Sequence, residues 1–136
     1  MSEFADGAVT PSGSGNIFVD KLNAFTSKFV LSGSGKLSIN ELIATESDFV
    51  LSGSGDINIH GETTNLDAQL SGSGSIKSAG LNSDIADINI SGSGNVEIHA
   101  DSLLNVTISG SGSVYYTGYP SVNYSGSGSG SVVDNN

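Results

Sequence analysis

Three aspartates occur at the same point of three consecutive segments of the chain. Asp48, Asp67 and Asp87 each lie four residues before a Ser-Gly-Ser-Gly block. The equivalent positions of other segments hold Lys28, Asn105 and Ser121. If the segments stack as strands about 4.8 Å apart, the three carboxylates form a column. Because Ca²⁺ takes about six to eight oxygen ligands, the column predicts either a calcium site or a row of like charges that solvent screens.

Outward-facing aromatic residues are the second candidates for binding. Phe18, Tyr115 and Tyr119 offer rings that could stack on sugars, or that could form a cap or a contact between subunits. His60 and His99 are predicted to occupy equivalent outward positions in two repeats, which are two coils and therefore about 10 Å apart. Since metal–nitrogen bonds are about 2 Å long, these two histidines cannot share a metal ion.

Composition excludes several classes of protein. The formal net charge of −10 leaves no cationic surface for nucleic acid. The absence of cysteine excludes disulfides and cysteine-ligated zinc. Gly-x-Ser-x-Gly, the turn that carries the serine of many hydrolases, does not occur. The only basic residues apart from two histidines are four lysines, too few for an enzyme that cleaves acidic polysaccharides. We therefore expect a non-enzymatic protein with no cofactor other than possible calcium.

The chain is periodic although serine and glycine make up about a third of it. Ser-Gly-Ser-Gly begins at Ser12, Ser32, Ser52, Ser71, Ser91, Ser109 and Ser125. A flexible linker has no reason to keep such a period, whereas a solenoid does. Apolar residues spaced by two follow and precede each block and are expected to face inward, as in Leu37/Ile39, Phe49/Leu51 and Val122/Tyr124. A third apolar position is expected in the middle of each coil, at Leu22, Leu42, Leu66, Leu81 and Leu103.

Spacing of two predicts strands with one buried face, and no segment shows a sustained helical period. The predicted fold is therefore all-β: a right-handed parallel β-helix of about six coils, each with about 20 residues, about three short strands and a Ser-Gly corner. Glycine is expected at the corners because it adopts the positive φ of sharp turns. No run of about 18 apolar residues could form a membrane span.

We expect residues 12–127 to form the coils. Residues 1–11 are predicted to form an N-terminal cap or arm, and residues 128–136 a tail that completes a C-terminal cap. The segment before this tail carries four tyrosines and Pro120. Natural solenoids cover the exposed strand edges at their ends, which is why we interpret this segment as part of a cap.

The repeat Gly-x-Ile-x-Ile followed by Leu-Ser-Gly-Ser-Gly resembles the family described as the putative auto-transporter adhesin, head GIN domain. The most similar stretch is residues 104–133, with its aromatic pair, Gly-x-Pro and last Ser-Gly block. The resemblance covers about residues 12–133. It implies a parallel β-helix of exported, often Bacteroidetes, proteins, and it supplies no catalytic residues. Family members usually carry a longer N-terminal half and a signal, and relative to them we expect this chain to be without both.

Together these observations predict a non-catalytic, surface-exposed module that acts in adhesion or attachment. Its partner would be a cell-surface or glycan receptor, and it could form a homo-oligomer. Its location would be extracellular or the cell envelope if an export signal has been removed. Two alternatives stay open: a virion subunit used for capsid decoration or as a fibre, and a self-assembling scaffold.

Overall fold

The fold is that of a computed structural model, which describes the backbone of residues 2–4, 7–9, 12–13 and 16–135, and the side chains of residues 16–135 except that of residue 24. The described chain is all-β and forms a parallel solenoid of about six turns. Its strands are β1 (Ser2–Phe4), β2 (Gly7–Val9), β3 (Ser12–Gly13), β4 (Asn16–Gly33), β5 (Lys36–Leu51), β6 (Asp56–Leu70), β7 (Ser75–Ile90), β8 (Asn95–Ile108), β9 (Ser113–Thr117), β10 (Ser121–Gly126) and β11 (Val132–Asp134). The predicted fold class is confirmed.

Each central coil is one long strand that bends twice. In β5, buried and outward residues alternate, except at residues 40–41 and 45–46, where two consecutive side chains are exposed. These two breaks divide the coil into a first segment (residues 36–39), a second (42–44) and a third (47–51). The expected three short strands are therefore three straight segments of one strand, and every segment pairs in parallel with the next coil.

Inward side chains of successive coils stack into columns and form one apolar core. In the first segment the column Leu37, Ile57, Ile76, Val96, Val114 is fully buried. In the third segment Phe29 stacks on Phe49, with ring centroids 5.2 Å apart. The next residue in that column is Ala68, so a small side chain follows two large ones. The predicted inward pairs of the first five coils are thus confirmed.

Glycine is needed at the corners for a reason other than the expected one. Among the described residues, φ is positive only at Gly33, Gly61 and Gly118. At the other corner glycines the constraint is the neighbouring coil: a Cβ atom on Gly74 would overlap the carbonyl oxygen of Gly55, and one on Gly94 would overlap that of Gly74. The corners therefore stack backbone directly on backbone, and only glycine leaves room for that approach.

Side-chain oxygens also hold the start of successive coils together. The Oδ1 atoms of Asn16, Asp56 and Asn95 each accept a hydrogen bond from the backbone N–H of the next coil, at Lys36, Ser75 and Ser113 respectively. The donor–acceptor distances are 3.1, 3.2 and 3.2 Å. At Ser75 the side-chain contact adds to a backbone hydrogen bond, because the same N–H also donates to the carbonyl oxygen of Gly55 at 3.3 Å.

Differences in coil length shift parts of the register. Leu42 pairs with Gly61, whereas Leu66 pairs with Ser47, so the predicted mid-coil position of Leu66 is wrong. Leu103 pairs with Ile85 and faces outward, and its neighbour Leu104 is the buried residue. The predicted position of Leu103 is therefore also wrong, because β8 contains two residues fewer than β7 and absorbs the deletion before this point.

The last Ser-Gly run is longer than the others, and the structure aligns it two residues later than expected. Gly128 and Gly130 stack on Gly110 and Gly112. Consequently Asn123, and not Ser121, continues the column that contains Asn105. Val122 and Tyr124 were expected to face the core, but 36% and 47% of their surfaces are exposed.

The two end regions continue the parallel ladder. β1, β2 and β3 each pair with β4, while β10 pairs with β8 and β11 pairs with β9. Part of the predicted N-terminal cap, namely residues 1, 5, 6, 10 and 11, lies outside the described residues. The division into a cap, coils and a tail at residues 11/12 and 127/128 stays a prediction.

Candidate binding surfaces

The outward side chains of the solenoid form flat rows, and three groups among them are candidates for binding. The first is the aspartate column on the third segment, the second is the set of aromatic residues, and the third is a cluster around His99. Each group is positioned by the ladder register, since equivalent residues of adjacent coils lie about 4.8 Å apart.

The structure brings the three aspartates together as predicted. Asp48 pairs with Asp67 and Asp67 with Asp87, while Lys28 lies at one end of the column and Asn105 at the other. Burial raises the pKa of the Asp67 carboxyl, and the charges of Asp48 and Asp87 raise it further. Its Oδ1 atom is buried and has no hydrogen-bond partner among the described residues. The middle carboxylate therefore carries an uncompensated cost when it is ionised.

A groove of about 410 Å³ runs beside this column, and its walls include Glu46, Leu66 and Ile85. Within the described part of the chain, no three His, Cys, Asp or Glu side chains are grouped so that they could hold a metal ion. The calcium site at Asp48, Asp67 and Asp87 stays a prediction. If Ca²⁺ binds there, it should raise the melting temperature of the wild-type protein and leave that of Asp67→Ala unchanged.

Replacing Asp67 with asparagine is expected to stabilise the protein at pH 7. The raised pKa means that the folded protein keeps a proton on Asp67 at pH values where the unfolded chain, with the ordinary value of 3.8, has released it. Stability contributed by this group is therefore greatest below pH 3.8 and is lost as the pH rises through the folded-state pKa. Thermal unfolding between pH 3 and 8 should show a difference between Asp67→Asn and wild type that is largest at neutral pH and vanishes in acid.

The matched control is Asp84→Asn, which removes the same charge from an exposed position outside the column. If both variants change stability equally at every pH, the effect comes from net charge and not from the stacked carboxylates.

The aromatic candidates do not form one site. Phe18 and Tyr115 lie in the same outward row, but they are separated by Ser38, Asn58, Lys77 and Glu97, and Val133 follows Tyr115 in that row. Phe18 is 69% exposed, Tyr115 is half-buried, and Tyr119 is 90% exposed in the turn after β9. Any binding by these rings therefore takes place at separate positions.

A hydrogen-bonded cluster at His99 was not expected from the sequence. The Nε2 atom of His99 lies 2.9 Å from Oδ1 of Asp101, and its Nδ1 atom lies 2.9 Å from Oγ1 of Thr117. The register also places His60 opposite Gly80 but His99 opposite Asn82, so the prediction that the two histidines share one position is wrong. The shift between Ser78 and Asn82 in the β7–β8 ladder is the cause. The cluster links β8 to the following coil.

The sequence held a signal for this cluster: Asp101 follows His99 by two residues, and Thr117 follows it by 18, the interval that separates the Ser-Gly blocks at Ser91 and Ser109. Among the residues whose structure is described, no helix is long and apolar enough to cross a membrane.

The fold defines a repeat protein, a parallel β-solenoid of about six turns. The chain belongs to the family described as the putative auto-transporter adhesin, head GIN domain, whose model matches residues 7–120. The resemblance inferred from the repeat is thereby confirmed. The family description is that of an adhesin head, which implies a cell-surface or envelope location for such proteins.

A solved structure with the same fold is the crystal structure of a putative lipid binding protein from Parabacteroides distasonis, which matches with a TM-score of 0.88 and 27% sequence identity. The match covers 97% of this chain and 57% of that protein. The chain thus spans little more than half the length of its structural relative. No curated protein sequence is significantly similar to the chain.

Proposed function

We propose that this protein is a non-catalytic attachment module that acts at the cell envelope by binding a receptor on its flat outer faces. The observation that carries the proposal is the match of the adhesin head family to residues 7–120, on a solenoid whose outward rows are ordered and solvent-exposed. Such a scaffold suits attachment because neighbouring coils satisfy one another's backbone hydrogen bonds. The outward side chains are then held in a fixed array.

The absence of catalysis is part of the proposal. The cluster of Asp101, His99 and Thr117 contains a carboxylate, an imidazole and a hydroxyl, but it lies at the surface, where the side chain of Asp101 is 53% exposed. Catalytic groups of this type act in sites that exclude water and that offer donors to a developing oxyanion. The simplest role of the His99 cluster is to hold the last coils together through hydrogen bonds.

Attachment can be tested with the purified chain coupled to fluorescent beads. We expect the beads to bind to cultured epithelial cells or to a mucin-coated surface in a saturable manner, and we expect excess free protein to displace them. The matched control is the same chain after heat denaturation at equal coupling density. Bead binding no greater than that of the control on every surface would refute the proposal.

Lipid binding is a second candidate, because the structural relative is described as a putative lipid binding protein. The interior of the described coils is filled by side chains, so a lipid would have to bind outside the core. The exposed large apolar residues of the described chain are the available surface: Phe18, Phe25, Ile43, Ile85, Tyr119, Val122, Tyr124 and Val133. Co-sedimentation with vesicles of neutral phosphatidylcholine tests this candidate directly, and a chain that stays in the supernatant excludes it.

The virion-subunit and scaffold alternatives both require stable self-association. Light scattering across a concentration series separates them from an attachment module. A mass of 13.7 kDa at all concentrations favours the module, and a defined larger assembly favours a structural subunit.

A further inference from the structure

A small depression on the first segment brings together four side chains of different chemistry. Its volume is about 180 Å³, and its lining includes Lys77, Asn95, Glu97 and Tyr115. Lys77, Glu97 and Tyr115 lie on three consecutive rungs of one outward row, and Asn95 lies in the row beside it. With rungs about 4.8 Å apart and rows about 7 Å apart, the four groups surround an area about 10 Å long.

The polar groups of this depression are available for a ligand. The Oδ1 atom of Asn95 accepts a hydrogen bond from the backbone N–H of Ser113. This bond fixes the orientation of the amide and points its NH₂ group away from that N–H. Within the described part of the chain, the side chains of Lys77, Glu97 and Tyr115 form no hydrogen bond or ion pair. The depression therefore offers an ammonium and an amide as donors, a carboxylate as acceptor and a phenol as both.

The combination of charges distinguishes this depression from the two larger grooves. The groove beside the aspartate column contains Glu46, Asp48, Asp67 and Asp87, and the groove beside the second segment contains Glu62, Asp84 and Asp101. Neither of these contains a lysine or an aromatic ring. In the first-segment depression one positive and one negative group face the same space, which disfavours a ligand with a net charge of either sign.

We propose that the depression formed by Lys77, Asn95, Glu97 and Tyr115 binds an uncharged pyranose sugar, as the terminal residue of a receptor glycan. A sugar hydroxyl donates and accepts hydrogen bonds, and so matches the mixture of donors and acceptors. The Tyr115 ring supplies the apolar surface on which a sugar ring can stack. The volume is small compared with pockets for drug-sized molecules and suits one ring. This inference rests on the proposed attachment function and names its ligand class.

The test is a titration of the isotopically labelled chain, followed by NMR, with the methyl pyranosides of glucose, galactose and mannose as probes. At least one of them should shift the backbone signals of residues 75–77, 95–97 and 113–115 in a saturable manner, with a Kd of order 1 mM. Methyl glucuronide, which is an anion, and glucosamine, which is a cation, should bind at least about tenfold more weakly.

Tyr115→Ala is expected to weaken sugar binding by about tenfold, because the stacking surface is lost. Tyr119→Ala is the matched control, since Tyr119 is a more exposed tyrosine outside the depression, and its affinity should stay within about twofold. An unchanged melting temperature confirms that both variants fold. The inference is overturned if none of the three sugars produces a saturable shift, if Tyr115→Ala binds as tightly as wild type, or if the charged sugars bind equally well.

The bead assay separates failure of this inference from failure of the proposed function. Two results together would leave attachment standing and overturn the sugar site: Tyr115→Ala beads that attach to untreated surfaces as well as wild-type beads, and wild-type beads that attach equally well after the surface glycans have been oxidised with periodate. The expected result is reduced attachment of Tyr115→Ala to untreated surfaces and of wild type to oxidised surfaces.

Discussion

Replacing Gly74 with alanine is expected to destabilise the protein by about 3 kcal/mol or more, and to lower its melting temperature by about 10 °C. A Cβ atom at this position would overlap the carbonyl oxygen of Gly55 in the preceding coil and would press against a methyl group of Leu51. Backbone atoms cannot move aside as the end of a flexible side chain can. The two coils must therefore separate and weaken the hydrogen bonds between them. Thermal and urea unfolding measure the loss.

Ser73→Ala is the matched control, because Ser73 precedes Gly74 in the same corner and its side chain is exposed. That variant should stay within about 0.5 kcal/mol of wild type. If Gly74→Ala were equally harmless, the corners would not stack backbone on backbone as described.

Replacing Phe49 with alanine is expected to cost about 3–5 kcal/mol. Phe49 is fully buried and lies between Phe29, whose ring stacks on it at 5.2 Å, and Ala68 on the next coil. Ala68 is too small to fill the cavity that the lost ring would leave, and the hydrogen-bonded coils on either side cannot collapse into it. Equilibrium unfolding in urea gives the free energy of unfolding.

Phe49→Leu keeps part of the volume and should lose less than half as much stability, which preserves a measurement if the alanine variant does not fold. Phe18→Ala is the exposed control and should change the free energy of unfolding by at most about 0.5 kcal/mol. Equal losses at positions 18 and 49 would contradict the assigned interior and exterior of the solenoid.

The first and third segments of the coils could be predicted from the sequence because two independent signals agree there. The Ser-Gly blocks mark the corners, and the residues next to them alternate with a period of two. The three aspartates of the column lie close to a corner, which is why their predicted alignment agrees with the structure: Asp48 pairs with Asp67, and Asp67 with Asp87.

The second segment could not be predicted equally well, since the coils differ in length and the sequence does not show where a missing residue is absorbed. Leu66 and Leu103 were placed in the wrong columns for this reason, and His99 was aligned with His60 instead of with Asn82. The row of Lys77, Glu97 and Tyr115 was within reach of the sequence, because these residues are 20 and 18 residues apart, like the Ser-Gly blocks at Ser71, Ser91 and Ser109. What the spacing does not show is that their side chains and that of Asn95 line one depression.

Each central coil pairs only with the coil before it and the coil after it. If residues 56–74 were removed, Ser75 would follow Gly55, and Ile76 and Ile88 would meet Leu37 and Phe49, which are apolar partners of the kind they already have. A gene that encodes such a chain can therefore gain or lose a unit by unequal recombination without the need for a new core. Rod length is then an inheritable variable that evolves separately from the side chains on the outer rows.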